Sequence, residues 1–201
     1  MFDSVIKGGT VYTPDGVFVG DIGIAGEVIS EIKEGGELEG QITIDATGKC
    51  VFPGFIDPHV HIHLPFMGTN AIDDHESATK AALVGGTTTI IEMICPGPSD
   101  EPAAAFAEWN ELADSGACCD YTFHLAVVRF DDLAQVQLRA LVATQGVQSF
   151  KIFLAYKGAL DISDEDLLKL MKMCRELGVT LTAHCENAEA IDSMQKKLIT
   201  E

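Results

Sequence analysis

The rhythm of apolar and polar positions changes near residue 50. Before it, short alternating stretches, "SVIKGGTVYTPDG", "VFVGDIGIAGEVISEI" and "QITIDATGKCVFPG", are punctuated by Gly, Asp and Pro at turn positions. This pattern predicts several strands of a small antiparallel sheet over residues 1–50. After it, apolar runs alternate with stretches of helical period. Val51 to Asp57 reads as a strand, "DDHESATKAALVGG" as a helix stopped at Gly85-Gly86, and "TTTIIEMI" as the next strand. A helix over Glu101 to Ser115, a strand "YTFHLAVV", a helix over Asp131 to Thr144 and a strand "SFKIFLAY" follow. Ser163 with Asp166 three residues on reads as a capping box opening "SDEDLLKLMKMCRELG", with Gly178 as its stop. "VTLTAH" is a fifth strand, and "CENAEAIDSMQKKLITE" starts another helix.

Short apolar strands alternating with helices are the signature of a parallel sheet covered on both faces, so the fold class is α/β. A (β/α) barrel and an open doubly wound sheet both satisfy the pattern. A barrel needs eight strand–helix units, and only about five can be counted over residues 51–201. On the barrel reading the chain stops inside the barrel. A last helix that runs into Glu201 without a capping signal points the same way, to truncation of a longer protein.

Composition narrows the functional classes. The 201 residues are 47% hydrophobic, ample for a packed core in one or two domains. Thirteen basic against thirty-one acidic residues give a formal net charge of -18. That field argues against nucleic acid and anionic membrane as partners. No apolar run approaches the ~20 residues needed to span a bilayer, and Met1 is followed by Phe2-Asp3-Ser4 instead of a basic region and an apolar core. A cytoplasmic location is the expectation. Six cysteines without CxxC pairing read as buried free thiols.

The candidate chemistry lies at strand ends. "GFIDPHVHIHLPF" puts Asp57, His59, His61 and His63 at alternate positions, with Asp57, His59 and His61 on one side while strand geometry persists. Two imidazoles on one side, at the carboxyl end of a buried strand, make a plausible pair of metal ligands. Pro65 bends the chain beside His63, which reads as structural or as support behind the ligands. His184 ends "VTLTAH", and a barrel delivers it to the same rim. His75, with acidic neighbours in a helix, reads as surface; His124, mid-strand, reads as a satisfied core group or a support for a ligand.

Lys151 is the anomaly, an amine between Phe150 and Ile152 in an apolar strand. Desolvation disfavours a buried ammonium and favours the neutral amine, which can form a Schiff base, act as a base or take up carbon dioxide as a carbamate. The bland alternatives are snorkelling to water, or a salt bridge to a carboxylate such as Glu92.

"PGFIDPHVHIHLPFMGT", "GGTTTIIEM", "SFKIFLAYKG" and "LTAHCEN", in that order and spacing, resemble the dihydropyrimidinase/D-hydantoinase branch of the cyclic amidohydrolases. The resemblance covers essentially the whole chain. It implies a partial TIM-type (β/α) barrel over residues 51–201, preceded by part of a small β-sandwich domain over residues 1–50. It also implies a homotetramer of metal-dependent hydrolases acting on a small cyclic amide. His59 and His61 would bind one divalent metal ion, His184 a second, and Lys151, carboxylated, would bridge the two. Zinc is the usual metal. The further histidine and aspartate of the family's site come from later barrel strands, outside these 201 residues.

The implied reaction is ring opening of a dihydropyrimidine or 5-substituted hydantoin by a metal-activated hydroxide. Tyr156 resembles the tyrosine that donates to the developing oxyanion. Leu64, Phe66 and Met67 resemble an apolar gate that contacts the ring substituent, or simply close a loop. His63 stands where dihydroorotases usually carry arginine, and "LPFMGT" differs from the allantoinase pattern. Non-catalytic dihydropyrimidinase-related scaffolds share the fold without most of the metal ligands, and a fragment without activity is the third possibility.

Overall fold

The computed structural model describes residues 1–66 and 68–200, and of Phe66 the backbone alone. The chain forms two compact units, Met1–Gly54 and Phe55–Glu201.

In the first unit, β1 (Phe2–Thr13), β2 (Gly16–Ala25), β3 (Val28–Glu34) and β4 (Gly40–Asp45) lie in the order β3-β2-β1-β4, and β5 (Cys50–Val51) also pairs with β1. The β1–β2 and β2–β3 pairs are antiparallel, as expected. β4 and β5 instead run parallel to β1. The departure arises because β4 lies beyond β1 and not beside β3, so the chain crosses the sheet before β4 and returns parallel to β1. A register shift in β1 between Ile6 and Gly9 contains Gly8 at φ 68°, a conformation that glycine adopts without a Cβ penalty. Buried Asp21 accepts from the Gly8 amide at 2.9 Å and from the Leu38 amide at 3.1 Å, so one carboxylate satisfies two irregular backbone positions.

The expected strand over Val51 to Asp57 is two strands. β5 ends at Val51, and β6 (Phe55–Val60) opens the second unit. Between them Pro53 has no N–H to give to a ladder, which ends the pairing.

The second unit alternates strand and helix. Its elements are a short hairpin of β7 (Pro65–Phe66) and β8 (Thr69–Asn70), α1 (His75–Val84), β9 (Thr87–Ile94), α2 (Pro102–Gly116), β10 (Asp120–Ala126), α3 (Asp132–Gln145), β11 (Ser149–Phe153), α4 (Asp164–Leu177), β12 (Thr180–His184) and α5 (Ala188–Thr200). The parallel sheet runs β12-β11-β10-β9-β6, each strand beside its predecessor. A doubly wound sheet reverses direction at a switch point; this sheet never does, so it is a curled portion of a (β/α) barrel. Five parallel strands are present among the described residues.

Local chemistry sets the helix ends. Asp74 caps α1 in a reciprocal box with Ser77, and Asp131 caps α3. Ser163 accepts from the Asp166 amide, but its hydroxyl donates to the Asp166 carboxylate, so the expected box at α4 takes a side-chain return bond. Gly178 ends α4 in the left-handed conformation.

Period two divides the strand side chains between two faces. Ile94, Phe123, Leu125, Phe150 and Ile152 meet Phe106, Trp109, Leu138, Leu170 and Met173 of the helices. Met93, Cys95, Ala126 and Phe153 cluster on the inner face. Leu138 is fully buried in the helix-facing core, which also holds the single tryptophan, Trp109. Leu138→Ala is therefore expected to destabilise this unit by about 2–5 kcal/mol, read as a lower urea midpoint in Trp109 fluorescence.

Candidate metal centre

His59 and His61 lie where β6 ends. The strand stops at Val60, its register against β9 shifts between Asp57 and Val60, and the Asp57 carboxylate accepts from the His59 amide at 3.1 Å. The two imidazoles stand 5.2 Å apart between ring centroids, at an interplanar angle of 65°. They are neighbours even though His61 lies past the strand. Partial burial of the His61 ring holds its pKa below the ordinary histidine value, and His59 and Lys151 add to that.

Lys151 is 3% exposed in the middle of β11. Phe150 and Ile152 occupy the helix-facing core, so alternation sends the lysine to the inner face. Its Nζ lies 5.1 Å from the centroid of the Phe153 ring. Burial pushes its pKa below 10.5, against small opposing effects of Cys95 and Cys185. Neither bland reading holds. The side chain is sealed from water, and Glu92 is engaged elsewhere: its carboxylate lies 2.6 Å from His75 Nε2 and accepts from the Ile62 amide at 3.1 Å. Among the described residues no carboxylate forms an ion pair with Lys151.

His184 closes β12, in register with Phe153. Its ring centroid is 6.0 Å from Phe153 and 5.7 Å from Tyr156, and its Nε2 is 3.1 Å from the Glu186 carboxylate. Tyr156, at 38% exposure, has φ 62°, and its carbonyl accepts from the amides of Ala159 and Leu160. Leu64 is half-buried against the inner-face cluster of Met93, Cys95, Ala126 and Phe153. A cleft of about 1060 Å³, formed by the loops that follow β9 and β11 together with α5, has Leu64, Cys95, Tyr156, Leu160 and Ile191 in its walls. The backbone of Phe66 pairs with Thr69; its side chain and all of Met67 lie outside the described residues.

One histidine plays a part that the sequence concealed. His75 is not a surface residue: it is 1% exposed, because the first turn of α1 faces β9, and it pairs with fully buried Glu92. The His63 ring lies 5.1 Å from His75, on a residue with φ 53°. His124 is satisfied on both ring nitrogens, by Ser149 Oγ and, at 3.0 Å, by the Pro58 carbonyl. Burial lowers its pKa. All six cysteines are free, but only Cys95 and Cys174 are buried; Cys50, Cys118 and Cys185 are exposed. Burial raises the Cys95 thiol to about 12, so it remains protonated on the inner face.

The donors brought to this rim are imidazole nitrogens and one amine without a carboxylate partner, a set suited to zinc and similar borderline cations. Among the described residues no three His, Cys, Asp or Glu side chains converge closely enough to hold a metal ion.

The amidohydrolase family profile matches residues 50–201, and the chain belongs to that family. Within the family it is similar to dihydropyrimidinases and D-hydantoinases. It is 38% identical over 196 residues to the dihydropyrimidinase of Dictyostelium discoideum, covering 97% of this chain and 39% of that protein. A D-hydantoinase structure from Thermus sp. superposes with a TM-score of 0.93 at 48% identity, over 98% of this chain and 43% of that one. The mouse dihydropyrimidinase-related protein 5 is 36% identical over 198 residues, covering 97% of this chain and 35% of that protein. The chain thus spans about two fifths of the length of the relatives it matches.

A buried lysine with a depressed pKa opposes folding in its charged form. Between the folded-state pKa and 10.5 the unfolded chain binds more protons, so stability at this site falls as pH falls through that window. Lys151→Met, with chelator present and carbon dioxide excluded, should be more stable than the parent at neutral pH. The gap in urea midpoint is expected to narrow as pH rises towards 10.5.

Proposed function

We propose that this chain supplies His59, His61, Lys151 and His184 to a binuclear metal centre of a cyclic amidohydrolase. The enzyme would open the ring of dihydropyrimidines or 5-substituted hydantoins. The observation that carries the reading is Lys151, sealed on the inner face of the sheet, without a carboxylate partner among the described residues, and close to the His59–His61 pair.

Burial favours the neutral amine that carboxylation requires. The Nζ lone pair of the neutral amine attacks carbon dioxide, an N–C bond forms as a C–O π bond opens, and the nitrogen gives up one proton, which converts the amine into a carbamate with two oxygen donors. Such an anion offsets the repulsion of two adjacent cations. Divalent ions bound there, zinc by the donor set, would supply Lewis acidity that lowers the pKa of water and polarises the amide carbonyl.

The remaining tasks fall to the chain itself. His59 and His61 offer lone pairs from the end of β6, the depressed pKa of His61 keeping its ring available as a ligand. Tyr156, beside His184 and in the wall of the cleft, would donate its phenol O–H to the carbonyl oxygen as negative charge gathers there. Leu64, backed by the inner-face cluster, gives the ring substituent an apolar wall. A left-handed backbone on a bulky residue such as Tyr156 is a cost that functional loops commonly carry.

Similarity to dihydropyrimidinase-related protein 5 supports a second reading, a scaffold without hydrolysis. Metal analysis of the full-length protein, with bicarbonate supplied, separates the two. Hydrolysis of dihydrouracil or a 5-substituted hydantoin, together with bound metal, is the expected result; a metal-free, inactive full-length protein would favour the scaffold. Lys151→Ala should lose metal and activity together, and full retention of both would refute the bridge. Tyr156→Phe should keep its metal while kcat drops by about 10²–10³-fold, the usual loss on removing one oxyanion donor.

A further inference from the structure

Glu92 is fully buried, yet it does not face the candidate metal ligands. Alternation along β9 gives it the helix-facing side of Ile94, opposite Met93 and Cys95. One of its oxygens accepts from the Ile62 amide at 3.1 Å, and the other lies 2.6 Å from His75 Nε2. Ile62 sits between His61 and His63, beyond the end of β6, where its buried amide has no strand ladder to join. His75, itself buried, supplies the second donor to a carboxylate that is otherwise shut away from water.

The other end of the same segment is also held. The Pro58 carbonyl can only accept, so His124 donates from Nε2 and its Nδ1 accepts from the Ser149 hydroxyl. The stretch from Pro58 to Ile62, with His59 and His61 inside it, is thus tied to β10 at one end and to β9 at the other. Neither tie contributes a ligand, and neither is used by the reaction described above.

We infer that Glu92, with His75 behind it, is a positioning residue that fixes the turn carrying His61. The consequence for metal rests on the metal-centre reading; the consequence for the turn does not. Side chains that hold ligands in place typically cost 10–100-fold in metal affinity when removed.

The test uses the full-length protein, freed of metal and then titrated with zinc. In metal-free Glu92→Ala, hydrogen exchange of the segment from His59 to Leu64 should accelerate by about tenfold or more, while β11 keeps its protection. Zinc affinity should fall by about 10–100-fold. Glu92→Gln, which keeps an acceptor for Ile62 and can donate to the other tautomer of His75, should restore most of both. Unchanged exchange from His59 to Leu64, or acceleration spread equally over β10 and β11, would overturn the inference. If Glu92→Ala does not fold, His75→Leu decides: acceleration confined to the same segment supports positioning, and its absence overturns it. A parent protein that binds no zinc while Glu92→Ala still loosens the turn would refute the metal reading and leave the positioning role standing.

Discussion

Two-faced burial of the parallel sheet is the constraint on which this unit depends. Each strand must give alternate side chains to the helices, and Phe150 and Ile152 meet that demand with the bulk of the helix-facing core. The residue between them has no choice of direction. Lys151 points inward because its neighbours must point outward, and the inner face is where the strand ends also bring His59, His61 and His184. An amine sealed there is costly as a cation, and that cost favours its neutral form.

Buried carboxylates solve a different problem in both units. Asp21 in the small sheet and Glu92 in the barrel portion each accept from a backbone amide that a strand irregularity has left without a ladder partner. Asp21 holds the bulge at Gly8 and the loop at Leu38; Glu92 holds the turn after β6. Amides are the natural partners because each satisfies an orphan donor and the acid together. A carboxylate in an apolar strand therefore need not be a catalytic group, and Glu92, in the run "TTTIIEMI", is such a case.

Much of the architecture could be read from periodicity. The order of strands and helices after residue 50, and the conflict between Lys151 and its apolar flanks, are local properties of the chain. What could not be read was pairing at a distance. His75 follows Asp73 and Asp74 and precedes Glu76, the composition of an exposed helix start, and only the packing of α1 on β9 turns it inward against Glu92. The break at Pro53 was visible as a residue, but not as the point where the chain passes from one unit to the next. Likewise β4 and β5 run parallel to β1 because of where they cross the sheet, which alternation alone does not encode. The cysteines in apolar surroundings divided because loops and helix ends expose residues that composition assigns to the core.

Backbone conformation adds a last step. Among the described residues only Glu37, His63 and Tyr156 have positive φ without being glycine, and the last two lie in the loops that follow β6 and β11. Each is braced on both sides. His63 follows an amide fixed by Glu92, and its own amide meets the Asp73 carbonyl; Tyr156 follows a rigid strand, and its carbonyl is held by two amides. Strain of this kind persists only where the surroundings over-determine it. Overall similarity does not separate a hydrolase from a related scaffold, since both kinds of name occur among relatives near the same identity. The two braced loops and the sealed lysine are narrower evidence. They favour the proposed hydrolase reading, in which a sealed amine beside an imidazole pair has a task, over the scaffold reading.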